Sequence, residues 1–73
     1  MTAEEWIRTF AERAGMQAPD PDLIDEILKL ASVAAHSSER KAAPIACWIA
    51  GTTGRPVAEL CAVAEELEAG GAG

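Results

Sequence analysis

Few side chains in this sequence have the types and spacing for chemistry, and most of them fall in one stretch, AHSSERKAAPIACWIAG, from Ala35 to Gly51. His36 is the one histidine of the chain. A metal site needs two or three further imidazole, thiolate or carboxylate ligands at helical or turn spacing. Glu39 offers one carboxylate close to His36, and no third ligand lies nearby in sequence. Ser37 and Ser38 invite a nucleophile-and-base reading with His36. Adjacent residues on a helix or turn do not face each other, however. Neither a third, orienting group nor a glycine elbow accompanies them. Serines at this place serve turn chemistry, satisfying backbone groups at a helix end. Cys47 and Cys61 stand apart, with no Cys-x-x-Cys pairing, and read as buried free thiols inside apolar helical patterns. The chain is therefore expected not to be an enzyme and to carry no metal and no cofactor.

Arg40 and Lys41 make the sharper case. Twelve acidic and six basic residues give a net charge of −6, so a basic pair beside His36 stands out. At the start of a helix such a pair could hold a phosphate or carboxylate; the plainer alternative is a solvated turn carrying two charges. The overall balance excludes other partners. An acidic surface repels nucleic acid, whose binding needs a cationic footprint, and it is disfavoured at an anionic membrane. No apolar run approaches the roughly 18–20 residues of a membrane span, so no membrane insertion is expected. The start, MTAEEWIRTF, has acids where a signal peptide carries positive charge, which makes a cytoplasmic location the expectation.

The elements that must position these residues are helical. In Thr2-Ala-Glu-Glu5 the Thr2 hydroxyl and the Glu5 carboxylate can each take the other's backbone amide, a capping box. Trp6, Ile7, Phe10, Ala11 and Ala14 then recur at helical spacing up to Gly15, which predicts a helix over 3–14. Asp20-Pro21 supplies a cap and a first-turn proline for a second helix over 21–36. Its apolar surface, from Leu23 to Ala35, is wider than one stripe, which places it centrally. Pro44 belongs in the first turn of a third helix over 43–52, with Ile45, Trp48 and Ile49 as its apolar face. Gly51 to Gly54 breaks the pattern. A fourth helix over 56–68 follows, with Thr53 a candidate cap and Val57, Leu60, Cys61, Ala64 and Leu67 on one side. No stretch alternates with period two long enough to make a strand. The expected fold is all-α, a compact bundle of four short helices in a single domain over 1–68, with a disordered glycine-rich tail over 69–73.

Two tryptophans bear on partners. At its spacing Trp48 is read as core, and truncating it would then cost about 3–5 kcal/mol; the alternative is a half-exposed interface anchor. Trp6, in the first turn of its helix, lies nearer the rim and is the better interface candidate. Acyl carrier proteins share this size, acidity and helix count. They need a serine in an Asp-Ser-Leu context at the start of the second helix, where this chain reads Asp20-Pro21-Asp22-Leu23, and the likeness fails on that residue.

Another resemblance covers about residues 3–68. Glu5-Trp6 in the first helix, Ala35-His36, the run Arg40-Lys41-Ala42-Ala43-Pro44 and the continuation to Gly51 resemble a small bacterial domain family of unknown function. Its members pair a Glu-Trp helix with an "Ala-His, then Arg-Pro-Ala-Ala-Pro" corner. Lys41 stands where the family usually has proline, which leaves the corner more flexible. The resemblance implies a setting: such domains are fused to, or encoded near, the guanylyltransferase of molybdenum-cofactor synthesis and formate dehydrogenase accessory proteins. It implies a non-catalytic accessory module or small subunit. Such a module would dock on a larger protein, a molybdenum-dependent oxidoreductase of formate dehydrogenase type or its cofactor-maturation machinery. His36, Arg40, Lys41, Pro44, Trp6 and Trp48 are the candidate contacts. The alternative is a regulator that binds the phosphate of a nucleotide or pterin at the His36–Arg40 corner.

Overall fold

The computed structural model describes residues 1–70. Among them are four helices and no strand: α1 (Ala3–Ala14), α2 (Pro21–Ser37), α3 (Ala42–Thr53) and α4 (Val57–Ala69). The expected all-α bundle is present, and helix ends fall within one residue of their expected places, the usual uncertainty of a fraying terminus.

Local chemistry explains why these segments start and stop where they do. Thr2 Oγ1 accepts the Glu5 amide at 3.1 Å and Glu5 Oε1 accepts the Thr2 amide at 3.3 Å, completing the capping box. Gly15 ends α1 at φ 86°, a left-handed conformation that glycine adopts without a Cβ penalty. Asp20 Oδ1 accepts the Leu23 amide at 2.8 Å, and Pro21 opens α2. Gly54, at φ 77°, closes α3. Thr53 does not cap α4 as expected. Its hydroxyl accepts the Arg55 amide at 3.2 Å, and Pro56, which has no side-chain acceptor, takes the cap position. Of the expected glycine-rich tail, Ala69 ends α4 and Gly70 follows as its cap; residues 71–73 lie outside the described residues.

Helix α2 is central, as its broad apolar surface predicts. Leu30 of α2, Ala50 of α3 and Cys61 of α4 form the buried cluster, with Ala46, Val57, Leu60 and Ala64 packed against it. The small residues let three backbones approach closely. The Cys61 thiol donates to the Glu26 carbonyl at 3.3 Å and the Cys47 thiol to the Ile27 carbonyl at 3.9 Å. Both cysteines are free; Cys61 is buried and Cys47 half-buried. Lys29 Nζ lies 3.8 Å from Glu65 Oε1. Together with the Cys61–Glu26 contact, that pair runs α4 parallel to α2.

Two apolar faces are not where the periodicity puts them. On α3 the face turned inward is that of Ala46 and Ala50, whereas Ile45, Trp48 and Ile49 are 59%, 68% and 49% exposed. Trp48 is two residues from Ala50, about 200° around the helix, so burying Ala50 turns the indole outward. The core reading of Trp48 is thereby corrected. Helix α1 packs on no other helix: among the described residues none of its Cα atoms comes within 8 Å of one in α2, α3 or α4. Only Ala11 of its apolar face is buried. The molecule accordingly measures 40 × 24 × 18 Å, with a radius of gyration of 13.1 Å against about 11 Å expected for this chain length.

Candidate functional site

The basic corner joins the C-terminus of α2 to the N-terminus of α3. His36, in the last turn of α2, is exposed, and its Nδ1 is 3.4 Å from Ser32 Oγ, one turn back. The Ser37 hydroxyl donates to the Val33 carbonyl at 2.7 Å. His36 thus meets Ser32 and neither Ser37 nor Ser38, and Ser37 satisfies a carbonyl at the helix end as expected. Lys41 Nζ is 3.7 Å from Glu39 Oε2, and both are well exposed to solvent. Arg40 is exposed beside them. The amides of Ala42 and Ala43 donate to the carbonyls of Glu39 and Arg40 at 2.9 and 3.1 Å. Pro44 has no N–H. The first three positions of α3 therefore present no free amide, and an anion at this corner would meet side chains alone. Among the described residues no three His, Cys, Asp or Glu side chains gather into a metal-sized group.

The apolar surface is more extensive than the basic one. Helices α3 and α4 both lie on α2 and barely touch each other. Between them runs a groove of about 310 Å³. Leu30 and Ala34 of α2 form its floor, Ile45 and Ile49 of α3 one wall, and Ala64 and Leu67 of α4 the other. A second hollow of about 190 Å³ continues it past Val63 and Leu60. Ser37 and Ser38 close the end nearest the basic corner. Trp48 flanks the groove on the outer side of α3, one turn beyond Pro44. On α1, the Trp6 and Phe10 rings stack with centroids 5.0 Å apart at 15°, and both are largely exposed.

The sequence-derived candidates thus fall into two places. His36, Arg40, Lys41, Pro44 and Trp48 share the α2–α3 corner and the outer side of α3. Trp6 is on α1, which no contact joins to them. Sequence reasoning missed the groove, whose walls it assigned to the core. A signal was available: no charged residue lies between Lys41 and Arg55, so α3 has no face suited to water. A helix apolar all round is normally buried.

Burial pushes the Cys47 thiol above its ordinary pKa of 9.0, and the neighbouring Cys61 adds to the shift. Cys47 is therefore a protonated, weakly nucleophilic thiol at neutral pH.

No helix among the described residues is long and apolar enough to cross a membrane. No curated protein and no solved structure matches the chain. A family match does exist. It spans residues 1–70 and so takes in α1 together with the three packed helices. The chain belongs to the family described as a domain of unknown function, DUF6457.

Proposed function

We propose that this protein is a non-catalytic docking module that acts as an accessory to a larger protein. The observation that supports it is the outer side of α3. Ile45, Trp48 and Ile49 stand exposed on a helix without a single charged residue. Tryptophan surrounded by aliphatic side chains is the composition of an interface anchor. The net charge of −6 would steer the module to a basic patch on its partner. Arg40, Lys41 and His36 at the adjoining corner would sit at the polar rim. The resemblance set out above supplies the partner class: a molybdenum-dependent oxidoreductase of formate dehydrogenase type, or the machinery that matures its cofactor.

Affinity capture from the native host, followed by binding measurements on the purified partner, tests this reading. Expected is recovery of a molybdenum-dependent enzyme or maturation factor, with binding weakened about tenfold or more by Trp48→Ala and less by His36→Ala/Arg40→Ala. Capture of no such protein, or binding indifferent to Trp48→Ala, overturns it.

A further inference from the structure

We propose that the free protein is a homodimer in which α1 of each copy lies in the α3–α4 groove of the other. This goes beyond the docking reading: it uses α1 and the groove, which shares Ile45 and Ile49 with the docking face, while Trp48 lies outside the groove lining. Each chain carries both halves of such an interface, and its own fold joins neither. One half is the amphipathic face of α1, with the stacked Trp6 and Phe10 exposed at 56% and 60%. The other is the groove floored by Leu30 and Ala34 and walled by Ile45, Ile49 and Leu67. Three helices arranged with α3 and α4 apart over α2 leave the fourth position of a bundle vacant. A 12-residue helix, about 18 Å long, is the size of the missing member. Both ends of the α1–α2 connection are tied. The amides of Gly15 and Met16 donate to carbonyls of α1's last turns, Asp20 caps α2, and Pro19 and Pro21 stiffen the link. That connection holds α1 away from its own groove and available to a second copy.

Surface area supports the same occupant. A folded monomer of 7.6 kDa is expected to expose about 4,300 Å², whereas this chain exposes 5558 Å². The excess of about 1,300 Å² exceeds the roughly 800 Å² that each partner buries in a stable interface of standard size. A reciprocal exchange is isologous and closes at two copies, so it leaves no open edge for further growth. The family match includes α1, as a bundle completed by that helix requires.

Sedimentation equilibrium of the full chain, between about 1 and 100 μM, reads the stoichiometry. Emission from Trp6 in a Trp48→Phe background reads the environment of α1. Expected is a species of twice 7.6 kDa with blue-shifted Trp6 emission. Trp6→Ala/Phe10→Ala and, separately, Leu67→Asp should each weaken dimerisation about 100-fold or more. All three positions are exposed within one chain, so the helicity of the variants should be unchanged. Mixing the α1 variant with the groove variant should restore a heterodimer, because one intact α1–groove contact remains. Three results overturn the proposal: a monomer at 100 μM, a monomer with blue-shifted Trp6 (α1 folded into its own groove), or a dimer indifferent to both sets of changes. Partner binding measured through Trp48→Ala is independent of these readouts, so failure of the dimer and failure of the docking reading are distinguishable.

Discussion

At the scale of single residues, exposure decides energy. Trp48 touches solvent over most of its surface, so Trp48→Ala should change unfolding free energy by only about 0.5 kcal/mol. A buried indole would cost several times more. Urea denaturation separates the two, and a loss of about 3 kcal/mol would return Trp48 to the core. Leu30, at 4% exposure, is the opposite case: Leu30→Ala should cost about 2–5 kcal/mol by opening a cavity among Ala50, Cys61 and α2 itself. Cys47 adds a pH dependence with a definite sign. Its thiol pKa is higher in the folded chain than in the unfolded one, because folding desolvates it. The folded state then holds the proton more tightly. The stability this brings is complete below the unfolded value of 9.0 and is lost as pH rises through the folded value. Thermal unfolding followed from pH 8 to 10.5 should show a fall that Cys47→Ala reduces; an unchanged profile in that variant would assign the fall to other groups.

At the scale of helices, the signals that hold are short in range. Asp20, Gly15 and the Thr2–Glu5 box act through bonds to residues three or four positions away, and Pro21 through its own fixed backbone angle, so each is legible without any contact between helices. Asp20→Ala should therefore cost about 1 kcal/mol by orphaning the Leu23 amide, and lower the Tm by several degrees. Asp20→Asn or Asp20→Ser should recover most of that loss. The width of the apolar surface on α2 was equally legible, since only a helix flanked on several sides tolerates it. The direction of α3 was not. Its sequence is apolar all round, so periodicity selects no face, and Ile45-Trp48-Ile49 is as regular a stripe as the Ala46–Ala50 side that packs. Alanine won because α2 is approached closely on two sides. A small residue allows that approach and an indole prevents it. The sequence locates His36, Arg40, Lys41 and Pro44 at the α2–α3 turn, where the structure has them, but it does not reveal the groove beside them, because Ile45, Ile49 and Leu67 follow the same periodicity as inward-facing residues.

At the scale of the whole molecule, charge and apolar area pull in opposite directions, and salt tells them apart. Two chains of −6 repel each other, so a dimer held by apolar contact should tighten severalfold as salt rises from about 10 to 200 mM, where screening shortens to under 10 Å. Docking steered by opposite charge should weaken over the same range. Measuring both affinities against salt therefore tests both surfaces with one variable; parallel responses would mean that a single surface serves both.

Sequence by itself determined the class of fold, the four helices to within a residue at each end, the central place of α2, and the location of the basic corner. These depend on capping, on glycine and proline, and on composition, all of which act within a few residues. Only the tertiary structure decided that α1 stands clear of the other three helices, that Trp48 faces outward, and that a groove lies open between α3 and α4. Those outcomes follow from how closely helices can approach one another. That distance is set jointly by side chains far apart in the chain, here Leu30, Ala50 and Cys61, and no local pattern contains it.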